Sequence, residues 1–181
     1  MESTLAADRA MEGWLGTLGH VGVIDADSDD EGATALATFV VGEEGVASLR
    51  SFFAKATPDV RERERRAAIE ICIWMMHADR QVDPEEVAMI REIIGRSGLS
   101  DDVQDELVQG THEPPSLEGI EDRLTQPALR ELLLALCWEL ASIDGTVAKA
   151  ERDFYTGMSK RLGVGAARAA EIQRSMAERV G

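Results

Sequence analysis

Residues 65–100 of this chain fall on residues 130–165 at a constant offset of 65, without a gap. Seven of the thirty-six aligned positions are identical: Arg65/Arg130, Cys72/Cys137, Asp79/Asp144, Val82/Val147, Glu86/Glu151, Arg96/Arg161 and Gly98/Gly163. Average residue usage would leave roughly two. Apolar positions match as well, at Ile71/Leu136, Met75/Leu140, Ala78/Ile143, Met89/Phe154, Ile93/Met158 and Leu99/Val164. Two segments that bury the same face predict one helix pair used twice. A chain built this way is expected to close into a compact, all-α helical bundle of about seven or more helices, with a pseudo-twofold helix-pair repeat.

Composition agrees with that class and narrows the partners. The 181 residues are 44% hydrophobic but only 4% aromatic, which supplies one good core. The formal charge of −15 opposes a polyanion, so nucleic acid and an anionic membrane face are not expected as direct partners. Glu2, Asp8, Arg9 and Glu12 interrupt the N-terminus where a targeting signal would be apolar. The longest apolar stretches, 71–76 and 132–138, fall short of the ~20 residues a membrane-spanning helix needs. A cytoplasmic location is expected, with any membrane association made through a partner. The two cysteines occupy equivalent apolar positions, so core packing is their expected role, with a bridge between them open in an oxidising compartment.

The chain divides into residues 1–57, read as N-terminal helices and an acidic linker, and residues 58–181, the helical domain. Residues 4–18 suit a short helix. The tract from Asp25 to Gly32 puts Asp25, Asp27 and Asp29 at the first, third and fifth places of a calcium loop. Asp30 then stands where the turn glycine belongs and Leu36 where the bidentate glutamate belongs, so a solvated linker is expected there. Residues 33–55 read as helix broken near Gly42. Further helices are predicted at 60–79, 84–96, 101–109, 117–125, 127–144, 149–162 and 166–180, the last with Ala169, Ile172, Met176 and Val180 facing inwards. The charged opening Arg61 to Arg66 reads as a solvated helix surface with a Glu62–Arg66 pair.

Chemistry concentrates at the two helix corners. In the second, Gly145 follows Asp144 and suits the left-handed turn past a helix end, while Glu151 falls in the first turn of the next helix and points back to the same mouth. In the first, Asp83, Pro84 and Glu86 have the form of an N-cap, a proline at the first helical position and a capping-box glutamate. Ala148 replaces that N-cap in the second corner, so capping explains Glu151 less fully than it explains Glu86. Local capping and a cation or polar-network role for the acids both stand. His77 is predicted to point away from Asp79. No nucleophile elbow, phosphate-cradling loop or HExxH motif is present, and a non-enzymatic protein is expected.

These corners, His77-Ala-Asp-Arg-Gln-Val-Asp-Pro-Glu-Glu86 and Ala141-Ser-Ile-Asp-Gly-Thr-Val-Ala-Lys-Ala-Glu151, each followed by a helix and then Gly98-Leu99 or Gly163-Val164, resemble the twin motifs of the TerB tellurite-resistance family. The same pattern occurs in the N-terminal domain of DjlA-type membrane co-chaperones. The resemblance covers about residues 60–166 and implies a small stress-associated helical domain whose acidic cluster holds a divalent cation. Carried over by position, the implied metal ligands are Asp79, Glu86, Asp144 and Glu151. Carboxylate donors favour Ca²⁺, Mg²⁺ or Mn²⁺. Arg80 replaces the glycine of the first motif, which puts a bulky residue in a left-handed turn, or changes the turn, and sets a cation beside the site. The alternative function is a metal-independent module that binds a protein partner in a stress-response complex.

Overall fold

The structure, a computed structural model, describes residues 31–142 and 146–180, with side chains described for 34–142 and 146–178. Among these residues the elements are eight helices and no strand: α1 (Glu31–Lys55), α2 (Pro58–His77), α3 (Pro84–Gly95), α4 (Asp101–Gly110), α5 (Ile120–Arg123), α6 (Pro127–Ala141), α7 (Lys149–Arg161) and α8 (Ala166–Val180). The expected N-terminal helix and acidic linker lie outside the described residues. The all-helical fold is as the periodicity predicts.

Starts and stops follow local chemistry. Proline opens α2, α3 and α6, where the missing N–H removes no helical bond. The Thr57 hydroxyl accepts the Val60 N–H at 3.3 Å, and the Gln126 side chain accepts the Leu129 N–H at 3.0 Å. Gly42 breaks α1 with φ 75 and ψ 171, where the sequence places the interruption. Gly98 and Gly163 take φ 74 and 72 just past α3 and α7, the conformation that favours glycine.

The core is built around α2 and α6, which pack on each other; α1 and α8 cover α6, while α3 and α4 lie against α2. Helix α6 is apolar nearly all round, with Leu129, Leu132, Leu133, Leu134, Ala135, Leu136 and Leu140 at 1% exposure or less, as befits a central helix. Helix α8 is amphipathic and buries Ala169, Ile172 and Met176, as expected; the Val180 side chain lies outside the described residues. Of the apolar positions paired at the offset of 65, Ile71, Leu136, Met75, Leu140, Met89, Ile93, Met158 and Leu99 are buried, and Phe154 and Val164 pack against the core. Burial of this kind contributes roughly 1.5–3 kcal/mol per large side chain and is the main stabilising term.

The charged opening of α2 is not the solvated surface that its sequence suggests. Glu64 is fully buried, and its carboxylate accepts the Thr125 N–H at 2.9 and 3.0 Å and the Thr125 hydroxyl at 2.5 Å. Arg65 is buried too and donates to the Ser97 carbonyl at 3.2 Å. Glu62 turns to Ser100, accepting from its N–H and hydroxyl at 3.3 and 3.0 Å, while Arg66 pairs with Glu70 at 3.1 Å and Glu106 at 2.6 Å. The expected Glu62–Arg66 pair gives way to Ser100 for Glu62 and, for Arg66, to Glu70 one turn on in the same helix and to Glu106 of α4. The helix expected over 117–125 shrinks to Ile120–Arg123, since Gly119 takes a left-handed conformation and Leu124 an extended one.

Candidate functional site: the paired helix corners

At the first corner α2 ends at His77, two residues earlier than the sequence suggests, and the Arg80 N–H donates to the His77 carbonyl at 3.1 Å. Arg80 has φ 62, so the chain keeps the left-handed turn that its motif calls for although no glycine occupies it. Asp79 Oδ1 accepts the Gln81 N–H at 2.9 Å, and Asp83 Oδ1 accepts the Glu85 N–H at 2.8 Å. The acids on either side of the turn therefore each hold the loop by one oxygen. Val82 at the loop tip is 39% exposed, whereas Val147, its counterpart, packs against the core. His77 Nε2 lies 2.9 Å from the Thr111 carbonyl, which ties it to the connection after α4 and away from the acids, as expected.

The second corner is described on one side only. Ser142 caps α6, its hydroxyl donating to the Trp138 carbonyl at 2.8 Å, and residues 143–145, Asp144 and Gly145 among them, lie outside the described residues. Beyond them the Ala148 N–H donates to Glu151 Oε1 at 2.9 Å. Glu151 thus performs half of a capping box, the half that needs no N-cap side chain, so Ala148 does not deprive it of a structural role. That corrects the expectation that capping explains Glu151 less well. Glu86 does the same at the first corner, accepting from the backbone of Asp83.

Both glutamates are buried, Glu86 at 8% exposure and Glu151 at 4%, and they belong to different halves of the chain. Burial pushes the Glu86 carboxyl up to about 8, and the Glu151 charge is the next largest cause; Asp83 and Asp79 add to it, while the hydrogen bond from Asp83 pulls the other way. Glu86 and Glu151 are therefore near enough for the charge of one corner to be felt at the other, and the charges of Asp79 and Asp83 are felt at Glu86 as well. Sequence reasoning names Glu86, Glu151 and Asp79 but gives Asp83 only a capping role, although as the N-cap of α3 its charge also acts on Glu86. Among the described residues no group of three or more His, Cys, Asp or Glu side chains is arranged to hold a metal ion.

A family model described as "Tellurite resistance protein TerB" matches residues 65–174, more than half of the chain. The chain belongs to the TerB family. The TerB match begins at Arg65 inside α2 and ends inside α8, so it holds both corners and leaves α1 outside. Searches of curated proteins and of solved structures return no match. Among the described residues, no helix of this TerB protein is long and apolar enough to cross a membrane.

Proposed function

We propose that this TerB-family protein is a non-enzymatic, tellurite-resistance-like stress module in which a divalent cation joins the two helix corners. The observation that carries the reading is the Glu86–Glu151 relation: two buried carboxyl groups from separate halves, one of them held protonated by burial and, next, by the other's charge. A like-charged pair in a dry setting is destabilised unless a proton or a cation stands between its members. The donor chemistry fits a hard ion, since the implied ligands Asp79, Glu86, Asp144 and Glu151 are all carboxylates and favour Ca²⁺, Mg²⁺ or Mn²⁺. Such an ion would supply positive charge that lets Glu86 ionise. The protein's part is to fix the pair: Glu86 and Glu151 are each anchored to the backbone at the start of a helix.

One observation favours a second reading. Because Glu86 can keep its proton to about pH 8, the pair is tolerable without metal at neutral pH, which suits a metal-independent module that binds a protein partner. Val82, exposed at the tip of the first corner, would then belong to the contact surface.

Calorimetric titration with Ca²⁺, Mg²⁺ and Mn²⁺, on the native sequence and on Glu86→Gln combined with Glu151→Gln, separates the two. The cation reading expects binding heat and a rise in melting temperature that the double variant lacks. Silence from all three ions at millimolar concentration sinks it. Retention of a protein partner in excess chelator supports the second reading.

A further inference from the structure

At the end of α2 away from the first corner, one row of its residues borders a cleft. Asp59, Arg63, Arg66 and Glu70 follow one another at spacings of four, three and four, which puts them on a single face of the helix. The cleft has a volume of about 690 Å³, and its other walls include Val103 of α4, Pro115 and Ser116 of the following connection, and Arg123 of α5. Glu70, the most buried of the row at 3% exposure, holds two guanidiniums, that of Arg66 at 3.1 Å on one oxygen and that of Arg123 on the other. Arg123 also donates to the Ser116 carbonyl at 3.2 Å, and Arg63 meets the buried Glu64 at 3.5 Å. We propose that this cleft is a binding site for a free peptide of about three residues, its C-terminal carboxylate on Arg66 and its N-terminal ammonium beside Asp59.

Charge selects the ligand class. Three arginines and four acids line the cleft, with Glu62 and Glu118 completing the acids, so its signs are nearly balanced but separated in space. A net anion is opposed by the chain's charge of −15, and a net cation by the three guanidiniums. A ligand with one charge of each sign meets neither obstacle. At the deep end, the second nitrogen of Arg66 pairs with Glu106 at 2.6 Å, but Glu106 is 60% exposed, and so open a pair contributes little beyond what water would. A ligand carboxylate can take its place, while buried Glu70 keeps the guanidinium aimed. At the shallow end, Glu62 is occupied by Ser100, whereas the Asp59 carboxylate has no hydrogen bond or ion pair among the described residues. Seven residues of helix separate Asp59 from Arg66, about 10 Å at 1.5 Å per residue, and three extended residues span about the same length. Arg63, between the two ends, has donors for a peptide carbonyl, and Val103 and Pro115 offer an apolar wall to a middle side chain.

Calorimetric titration of the full chain with the tripeptide Ala-Leu-Ala, free at both ends, tests this beside the same peptide N-acetylated and the same peptide C-amidated. The free tripeptide is expected to bind and to shift backbone amide resonances around residues 59–70 and 115–118. Each cap should weaken binding about tenfold, the loss of one charge-assisted contact. Glu106→Gln, which relieves Arg66 of its exposed partner, should tighten binding about two- to fivefold. Asp59→Asn should weaken the free peptide and leave the acetylated one unchanged. Absence of binding heat at millimolar peptide overturns the proposal. So does equal binding of the acetylated peptide, which would assign the cleft to the C-termini of longer chains, or of the amidated one, which would make it a site for cations. The three peptides on the native sequence decide it alone, so a variant that fails to fold leaves the test intact.

Discussion

Glu86 feels the charge of Glu151, a buried residue of the other half of the chain, and burial followed by that charge holds the Glu86 proton in place to about pH 8. A carboxyl whose folded value lies above its ordinary value stabilises the fold fully below about pH 4.5, and that contribution is lost as pH rises through about 8. The metal-free protein should accordingly lose melting temperature, by about 3–8 °C, between pH 5 and pH 8, and level off above. Glu86→Gln should flatten that slope and melt higher than the native sequence at pH 8. Parallel curves for the two proteins would show that Glu86 does not carry the effect. If the cation reading holds, millimolar divalent ion removes the slope and its binding releases a proton.

Glu64 is fully buried and accepts two donors from Thr125, a residue that is itself exposed. Glu64→Ala removes both hydrogen bonds and leaves the donors of the exposed Thr125 to water. Charge-assisted bonds of this kind are worth roughly 1.5–3 kcal/mol each, so a loss of about 3 kcal/mol is expected in urea unfolding. Thr125→Val should lose less, since the backbone bond survives.

Arg130 spreads its guanidinium over three carbonyls, donating to Leu124 at 2.6 Å, Leu162 at 2.7 Å and Glu121 at 2.8 Å. Lysine has the charge but not the planar fork. Arg130→Lys should cost about 2 kcal/mol by denaturant titration, and a substitution that leaves the midpoint unchanged would show that water replaces the lost bonds.

Arg80 occupies a left-handed conformation at φ 62, which penalises an L residue by roughly 1–2 kcal/mol relative to glycine in the folded state. Glycine gives back part of that through the greater freedom of the unfolded chain. Arg80→Gly should therefore stabilise by about 0.5–1 kcal/mol. Under the cation reading, the same change should strengthen divalent-ion binding by removing a positive charge from the loop.

Helical periodicity and proline and glycine punctuation made the helices legible, down to the break at Gly42, because each signal is local to the residues it governs. Glu64 and Arg65 were not legible: their neighbours are charged, and the groups that bury them, Thr125 and the Ser97 carbonyl, arrive from other segments. Glu151 was half legible. Its spacing from Asp144 marked it as a corner acid, but the backbone N–H of Ala148 leaves no trace in residue type, so its capping bond could not be seen. Asp83 and Glu86 were legible as a capping box, and the Glu86 carboxylate does accept from the Asp83 backbone.

Arg65 donates to the Ser97 carbonyl and Arg130 to the Leu162 carbonyl, each reaching from a central helix to the residue just before a left-handed glycine. Each arginine therefore closes its own helical hairpin, and the connection at residues 113–116 lies between the two clasps. A peptide bond cut there would sever neither clasp, while the α2–α6 contact and the Glu64–Thr125 bonds would still join the pieces. The chain should behave as a split protein: nicked at that connection, its two fragments are expected to co-elute, and expressed separately, to find one another and restore the fold.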